Sequence, residues 1–436
     1  MSVRPPAAFM DRMKKQLGDS WPAFERVYDA PAVRGIRFHP EKTCSALQKI
    51  KADMERIPWE PEGYYTGPEA EWGKMILHEA GAFYLQEPSA MIPAAVFDAQ
   101  PGEILLDLCA APGGKSTQAG AAMRGSGILV CNEIVPKRAR ILSRNIERMG
   151  IRNAVVTNET PERLAAKWPE GFDGVLVDAP CSGEGMFRRD PETIAEWSEE
   201  KAAGCARRQT EILEEAAKLV RPGGRLVYST CTFHPDENEG MVRRFLERFP
   251  DFEPEAFTIG EESVPEGYRT FYPHEIRGEG QFAARFRKRG NASAGLGESS
   301  LPYPGREESR MLKALFSDAF PAEQIRKRGS FLLYMKELLD LDGIRVLRCG
   351  LQIAEIRDRY LIPDHALALS GIPCSIRQEL DAGSAARFMA GETVPSGESG
   401  WVLACYKGIG IGWGKAGQGT LKNHYPKGLR KPLLLP

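Results

Sequence analysis

Short β-branched runs alternate with helical segments in the middle of the chain, and this alternation restricts the fold more than any other sequence feature. Between residues 79 and 288 the runs are Ile104–Leu108, Gly127–Cys131, Ala154–Thr157, Gly174–Val177 and Arg225–Tyr228. The helical patterns are Lys115–Met123, Pro136–Met149, Pro191–Val220 and Pro235–Phe249. Such alternation predicts an α/β domain in which helices cover both faces of a parallel sheet.

Composition excludes several classes of protein. The 436 residues suggest two to four domains, and the longest apolar runs are far shorter than the roughly 20 residues of a membrane helix. The formal net charge of −1 gives no overall attraction to nucleic acid, so any such affinity must be local. Nine scattered cysteines without a CxxC pair argue against a zinc site and favour a reducing cytoplasm. We expect a cytoplasmic monomer with no metal and no membrane contact.

Flanking segments differ from this middle domain. Residues 1–78 predict a small N-terminal arm with helices over Pro5–Gly18 and from Trp21 onward, followed by a connector at Trp59–Trp72. Its cations form either a solvated face or a guide for a polyanion: Arg34, Arg37, Lys42, Lys49 and Lys51. A small polar linker, Asn291–Ser300, precedes an α+β region at 301–381 with helical signals at Arg306–Phe316 and Ala322–Arg328.

The C-terminal segment, within a predicted domain at 382–436, has a basic and aromatic composition. From Trp401 to Pro436 it contains six Lys or Arg residues and no acid. Its aromatic and imidazole side chains are Trp401, Tyr406, Trp413, His424 and Tyr425. Basic residues interleaved with aromatic ones suit contact with RNA, and the alternative is a basic β-barrel surface without a ligand.

The densest motif is Asp107-Leu-Cys-Ala-Ala-Pro-Gly-Gly-Lys-Ser116, which leads from a predicted strand into a helix. Adjacent glycines let the backbone approach a ligand at a helix N-terminus. The motif nearly matches a phosphate loop, but Cys109 replaces the first glycine and Asp107 would repel a triphosphate. These departures favour a ligand with an amine or a ribose.

An acid at the end of the next strand supports this interpretation. Glu133 lies 26 residues after Asp107, where an acid binds the ribose hydroxyls in dinucleotide folds. Together with the glycine loop it indicates a nucleoside cofactor without a phosphate requirement. S-adenosylmethionine is the candidate.

Asp178 and two cysteines lie at the ends of the fourth and fifth strands, in Asp178-Ala-Pro-Cys-Ser-Gly-Glu-Gly185 and Ser229-Thr-Cys231-Thr. Parallel topology predicts that Asp178, Cys181 and Cys231 share one pocket. Carbon 5 of a pyrimidine becomes nucleophilic only after a thiolate adds to carbon 6, and a base must then remove the carbon 5 proton. An acid near N3 stabilises the charge that develops on the ring. One acid and two thiols suit this chemistry.

These motifs resemble those of the RNA 5-methylcytosine methyltransferases of the RsmF/RsmB group in the Sun family. Further similar segments are Tyr84–Ala90, Arg221–Gly224, Pro235–Glu239 and Pro273-His274. Gly412–Lys415 and Leu421–Gly428 resemble the PUA-type RNA-binding domain of the RsmF branch. The resemblance implies a Rossmann-like methyltransferase domain, a small N-terminal α/β arm, a C-terminal α+β/PUA-like module, and small-subunit ribosomal RNA as the substrate.

The resemblance also implies roles for individual residues. Cys231 is the expected nucleophile, and Cys181 assists release. The expected S-adenosylmethionine ligands are Cys109, Ala110, Ala111, Pro112, Gly113, Gly114, Lys115, Glu133 and Asp178. The family often has an Asp beside the adenine, and the corresponding position here is Thr160, so Asn158 or Thr160 is expected to make that contact.

Three alternatives stay open from the sequence. The same chemistry could act on transfer RNA. A non-catalytic RNA-binding assembly factor could retain the fold without reactive thiols, and a phosphate-loop NTPase would have to tolerate Cys109 and Asp107 in its nucleotide site.

Overall fold

A computed structural model describes residues 4–67, 70–297, 301–313, 315–316, 322–337, 339–358 and 360–432. The N-terminal region contains helices α1 (Ala7–Leu17), α2 (Trp21–Arg26), α3 (Ser45–Ala52) and α4 (Ile76–Glu79). Its strands β1 (Arg34–Phe38), β2 (Gly63–Thr66) and β3 (Phe83–Leu85) form an antiparallel sheet with the order β2-β1-β3. The predicted connector Trp59–Trp72 therefore contains a strand.

The first two helices pack against the central domain through aromatic side chains. Phe9 and Phe24 are fully buried, and their rings lie 5.1 Å from Phe187 and 5.6 Å from Phe233, respectively. Phe187 and Phe233 belong to the loops that carry the two candidate cysteines. The arm is thus packed on these loops.

The central domain is built on five parallel strands, β4 (Ile104–Asp107), β5 (Ile128–Asn132), β6 (Ala154–Thr157), β7 (Phe172–Asp178) and β8 (Val220–Thr230). Its helices are α5 (Ile92–Phe97), α6 (Gly114–Ala122), α7 (Pro136–Arg148), α8 (Pro161–Lys167), α9 (Glu192–Glu196), α10 (Glu199–Leu219) and α11 (Glu239–Arg248). The predicted helix Pro191–Val220 is two helices, because the Ser198 side chain accepts a hydrogen bond from the Lys201 backbone and starts α10. The predicted α/β, Rossmann-like class is confirmed.

Antiparallel strands extend this sheet on both sides. The following strands are β9 (Phe252–Pro254), β10 (Phe257–Ile259), β11 (Glu262–Val264), β12 (Tyr268–Phe271) and β13 (Gln281–Lys288). The order along the sheet is β12-β13-β8-β7-β4-β5-β6-β16, and β9 pairs with β13 beside this path. Strands β10 and β11 form a separate two-stranded sheet. Strand β16 (Val346–Cys349) comes from the C-terminal region. The C-terminal region therefore adds a strand beside β6, at the edge nearest the candidate cofactor residues.

The C-terminal region begins with α12 (Arg306–Lys313) and a four-stranded sheet of β14 (Ile325–Arg328), β15 (Phe331–Tyr334), β17 (Leu351–Arg357) and β18 (Tyr360–Pro363). The helical signal over Ala322–Arg328 is confirmed only as a short 3-10 helix at Ala322–Gln324 and is wrong for Ile325–Arg328. Gly329, with φ +60°, turns the chain so that β14 pairs with β15 and buries Ile325. Helix α13 (His365–Leu369) follows.

A five-stranded sheet ends the chain. Its elements are β19 (Arg377–Glu379), α14 (Ala382–Ala390), β20 (Val394–Pro395), β21 (Gly400–Tyr406), β22 (Ile409–Gly417) and β23 (Thr420–Asn423). Apolar side chains of this sheet and of the N-terminal sheet form one core, in which Ile411 and Leu421 share a cluster with Ile36 and Phe38. The two ends of the chain are therefore packed together.

Burial of individual side chains corrects two expectations about RNA contact. Tyr406, Trp413 and Tyr425 are buried, so they are packing residues rather than platforms for bases. Arg37 and Lys42 are also buried. Arg37 donates to the Thr117 hydroxyl and the Gly114 carbonyl, and Lys42 donates to the carbonyls of Ala80 and Arg148.

No helix in the described part of the chain combines the length and the apolar character that a membrane crossing requires.

Candidate active site

Both candidate cysteines lie directly after neighbouring parallel strands. Asp178, the last residue of β7, pairs with Ser229 in β8, and Cys181 and Cys231 follow these strand ends. Their Sγ atoms are 3.3 Å apart, and both residues are free cysteines. The hydrogen bond with Cys231, together with burial, raises the pKa of Cys181 well above its usual value. The raised pKa favours the neutral thiol form of Cys181.

An ion pair lies beside the two thiols. Lys115 donates to Asp178 Oδ2 at 2.7 Å, and the Ser229 hydroxyl donates to Asp178 Oδ1 at 2.7 Å. Burial opposes the charged form of Lys115, but Asp178 and, less strongly, Cys231 outweigh it and raise the pKa of the lysine. The ammonium group thus places a positive charge near Cys231. Lys115 is not directed at a phosphate, because its ammonium group forms the ion pair with Asp178.

Glu237 anchors the Cys181 loop through hydrogen bonds. Its carboxylate accepts hydrogen bonds from the Ser182 backbone (3.0 Å), the Ser182 hydroxyl (2.5 Å) and the Gln209 amide (2.7 Å). The Ser182 and Thr232 hydroxyls are 2.7 Å apart and connect the two cysteine loops. The sequence placed Glu237 in a family motif but suggested no role for it.

Glu184 ties the same two loops to the N-terminal arm. Its carboxylate is fully buried and accepts bonds from the Phe233 backbone and the Trp197 indole, both at 3.0 Å. Arg12 of α1 forms an ion pair with it. The Gly185 backbone also donates to the Cys231 carbonyl at 2.8 Å. No spacing in the sequence links residues 12 and 184, so sequence reasoning missed this contact.

The loop between β4 and α6 forms the cradle that the glycine motif predicted. Gly113 has φ +111°, a backbone conformation that L-residues with side chains rarely adopt, immediately before the first residue of α6. Burial raises the pKa of Asp107 to about 7; its Oδ2 accepts from the Ser116 hydroxyl. Asp107 Oδ1 is buried without a hydrogen-bond partner among the described residues. This open acceptor suits a ligand that carries an amine or hydroxyl donor.

Residues 109–112 of this loop are held by the backbone and by α7. The Ala110 backbone donates to the Asn132 carbonyl at 2.8 Å. Arg138 donates to the Ala111 carbonyl at 2.9 Å, and Asn145 donates to the Pro112 carbonyl at 2.8 Å. Burial raises the pKa of Cys109, so its thiol is neutral. These four residues therefore present backbone groups and the uncharged Cys109 thiol to a ligand.

Glu133 lies just beyond the end of β5 and is 3% exposed. One carboxylate oxygen accepts from the Val135 backbone at 2.9 Å, and the other pairs with Arg138 at 3.2 Å. Each oxygen retains a lone pair, so the group can still accept bonds from two hydroxyls.

A cavity of about 470 Å³ lies between the ends of β5 and β6. Asn158 lines it, but the Asn158 amide donates to the carbonyls of Glu133 and Ile134, and its oxygen accepts from Arg345. Thr160 also lines the cavity and accepts from the Arg163 backbone at the start of α8. Both residues are thus hydrogen-bonded within the protein.

Residues 343–345, from the C-terminal region, form the outer wall of this cavity. The Arg345 backbone donates to Glu159 at 2.7 Å, and the Asn158 backbone donates to the Arg345 carbonyl at 3.0 Å. Arg163 donates to the Gly343 carbonyl at 2.7 Å. Sequence reasoning missed this wall because it lies about 185 residues beyond Asn158.

Across the described residues, no three or more His, Cys, Asp or Glu side chains converge in a way that would hold a metal ion.

Family comparisons agree with this architecture. Residues 94–287 match the model for the 16S rRNA methyltransferases RsmB/F, and residues 6–88 match the N-terminal domain of 16S rRNA methyltransferase RsmF. Residues 311–370 match the first C-terminal domain of the RsmF rRNA methyltransferase, and residues 376–431 match the RsmF PUA domain. The fold and the site thus define an RNA methyltransferase.

Individual relatives point to one branch. The chain is 32% identical to the ribosomal RNA small subunit methyltransferase F of Aliivibrio fischeri (strain MJ11), over 97% of both chains. It is 33% identical to the enzyme of that name from Aeromonas salmonicida, over 92% of this chain and 91% of the relative. A methyltransferase homologue from Pyrococcus horikoshii has a similar structure, with a TM-score of 0.57, 28% identity, and coverage of 66% of this chain and 96% of that one. The chain belongs to the RsmF family of S-adenosylmethionine-dependent 16S ribosomal RNA methyltransferases.

Proposed function

We propose that the protein methylates carbon 5 of a cytidine in small-subunit ribosomal RNA through a covalent bond between Cys231 and carbon 6. The observation that carries this proposal is the 3.3 Å distance between the Cys181 and Cys231 sulfurs, beside the Lys115–Asp178 pair. Methylation of an oxygen or an exocyclic nitrogen requires no thiol. Two thiols in contact at the reacting edge of the sheet favour carbon 5 chemistry.

The environment of each thiol supports its role. Cys231 lies in contact with the Cys181 sulfur and near the Lys115 cation, which suits an attacking sulfur that carries negative charge. The thiolate adds to carbon 6, and negative charge develops at N3 and O2 of the ring. The Lys115 ammonium, which Asp178 holds beside the two thiols, stabilises that charge. Bound S-adenosylmethionine supplies the methyl group.

Release requires that one proton leave carbon 5 and that the bond between Cys231 and carbon 6 break. Cys181 Sγ lies 3.3 Å from Cys231 Sγ, within reach to donate its proton to the departing Cys231 sulfur. The resulting Cys181 thiolate then takes the carbon 5 proton, so both thiols end protonated and the product is 5-methylcytosine. Cys181 is therefore assigned to release rather than to attack.

We assign the cofactor to the edge of the sheet between the glycine loop and the 470 Å³ cavity. The loop Cys109–Lys115 and the open acceptor of Asp107 suit the methionine end, and Glu133 suits the two ribose hydroxyls. The cavity lined by Ile134, Asn158 and Thr160 suits the adenine. Arg345 completes the wall of this cavity from the C-terminal region.

The experiment compares variants of the two cysteines on a small-subunit ribosomal RNA transcript with S-adenosylmethionine. Cys231→Ala should abolish methylation and form no adduct. Cys181→Ala should attack and methylate but release slowly, so a denaturant-stable protein–RNA band should accumulate on a gel. Cys374→Ala, which changes a buried cysteine in the core of the C-terminal region, is the matched control and should behave as the wild type.

Other outcomes would revise the assignment. An adduct with Cys231→Ala instead would reverse the two roles, and no adduct with either variant would exclude the two-thiol mechanism. Sequencing of bisulfite-treated total RNA from cells with and without the protein tests the substrate. Loss of 5-methylcytosine from transfer RNA alone would favour that substrate, and no loss at all would favour a non-catalytic role.

A further inference from the structure

Two helices on opposite faces of the central sheet differ sharply in charge. Helix α7 carries five cations and a single acid, whereas α10 carries four cations and five acids. The only acid of α7, Glu147, pairs with Arg348. Helix α7 therefore has an uncompensated positive surface, and α10 does not.

Three of the α7 cations lie on one outward-facing stripe. Lys137, Arg140 and Arg144 follow each other at helical spacing, span about 10 Å along the axis, and are all exposed. Within the described residues, none of the three has an ion pair. The other two cations act inside the molecule, since Arg138 bonds the cofactor loop and Arg148 donates to the carbonyls of His78 and Phe83.

The same surface also exposes large apolar side chains. Ile134, Val135 and Ile141 are 55%, 43% and 44% exposed, on the approach to α7 and on the helix itself. Clustered exposed apolar side chains beside unpaired cations are typical of an interaction site rather than of a solvated helix. We define the stripe of Lys137, Arg140 and Arg144 with Ile141 as the α7 ridge.

The α7 ridge connects the catalytic domain to the PUA-like sheet. Its N-terminal end lies beside Glu133 and the cofactor loop. Its C-terminal end reaches a cavity of about 240 Å³ that Ile141 and Arg144 line together with Tyr425 and Leu429. The exposed Lys427 lies two residues before Leu429. Two acids, Glu79 and Glu147, also line this cavity, but each is paired with a cation, Lys431 and Arg348 respectively. Arg144 and Lys427 therefore extend the unpaired positive charge toward the end of the chain.

We infer that the α7 ridge is a binding surface for the sugar–phosphate backbone of the ribosomal RNA substrate, between the target nucleotide and the PUA-like domain. A ridge of unpaired cations suits a polyanion, and this family acts on RNA. The inference rests on the RNA substrate alone and does not depend on the roles of the two thiols.

The test measures equilibrium binding of an unmodified small-subunit ribosomal RNA transcript as a function of salt. The variant Lys137→Gln/Arg140→Gln/Arg144→Gln should bind at least about tenfold more weakly. The slope of log affinity against log salt should become shallower by about 2, at roughly 0.7 per lost contact. The matched control, Arg207→Gln/Arg208→Gln/Lys218→Gln, removes the same charge from α10 and should change little.

Calorimetry with S-adenosylmethionine shows whether the α7 variant is folded, independently of its contact with RNA. The α7 variant should retain wild-type cofactor affinity. If the triple variant fails to fold, the single variant Arg140→Gln tests the inference instead. It should still reduce the slope of log affinity against log salt by about 0.7. Equal losses in the α7 and α10 variants, or no loss in either, would overturn the inference.

Binding to assembled small ribosomal subunits provides a second measurement. Normal affinity of the α7 variant for the transcript combined with weak binding to subunits would show that the ridge contacts a ribosomal protein, which would also overturn the inference. Because adduct formation is not measured, failure of the two-thiol mechanism would leave the result unchanged.

Discussion

The reacting end and the adenine end of the proposed cofactor site are built in different ways. At the reacting end, Asp178, Cys181 and Cys231 come from adjacent strands of one sheet and lie within two short motifs. At the adenine end, Asn158 and Thr160 are already hydrogen-bonded, and Arg345 of another region completes the wall. The reactive groups are thus positioned by local strand ends, whereas the far end of the cofactor site depends on docking between regions.

Both ends nevertheless depend on a distant segment. The N-terminal arm supports the cysteine loops through Arg12 and Glu184, and the C-terminal region supports the cavity through Arg345 and β16. The first contact is a buried ion pair, and the second is mostly backbone hydrogen bonding. Removal of the first should therefore have the larger effect.

The largest expected effect is that of Arg12→Met. Loss of this cation leaves the fully buried Glu184 carboxylate without its ion partner, which typically costs about 3–5 kcal/mol. We expect a corresponding decrease in the free energy of unfolding, measured by urea denaturation, and a lower kcat with an unchanged cofactor affinity. The exposed Lys15 of the same helix is the control, and Lys15→Met should stay within about 0.5 kcal/mol.

A double-mutant cycle with Glu184→Gln tests whether the effect acts through this pair. The two substitutions should be strongly non-additive, since each removes the same interaction. Additive effects, or a cost for Arg12→Met no greater than that for Lys15→Met, would mean that the arm does not support the cysteine loops.

Glu133→Ala should have an intermediate effect, a loss of cofactor affinity. Hydrogen bonds to a charged group are typically worth about 1.5–3 kcal/mol, so S-adenosylmethionine should bind roughly ten- to a hundredfold more weakly by calorimetry. Glu147→Ala removes an acid from α7 that pairs with Arg348, and it should leave the affinity unchanged. Equal binding by the Glu133 variant would place the ribose elsewhere.

The smallest expected effect is that of Arg345→Ala. The backbone bonds to Glu159 and Asn158 remain, and only the side-chain bond to the Asn158 oxygen and one part of the cavity wall are lost. A single bond of about 1 kcal/mol predicts roughly fivefold weaker cofactor binding.

Adenine is common to S-adenosylmethionine and S-adenosylhomocysteine, so Arg345→Ala should weaken both equally. Arg357→Ala, which removes a cation that pairs with Glu355 elsewhere in the same region, is the control. Unequal effects on the two ligands would place Arg345 near the sulfur rather than near the adenine.

From the sequence one can predict the five parallel strands, the loops that follow them and the grouping of the two thiols, but not the antiparallel strands that extend the sheet. This was possible because hydrophobic periodicity and glycine conformation are local properties, and parallel topology brings the ends of all its strands to one edge. The strand at Ala154–Thr157, for example, begins and ends where its pattern predicts.

Tertiary structure alone decided which residues support that edge. The ion pair of Arg12 with Glu184, the wall formed by Arg345, and the burial of Trp413 and Tyr425 depend on how distant segments pack. The strand Ile325–Arg328 likewise forms because β15 covers it, although its sequence favours a helix. Local patterns carry no information about such partners, since a side chain's burial depends on what packs against it and not on its neighbours in the chain.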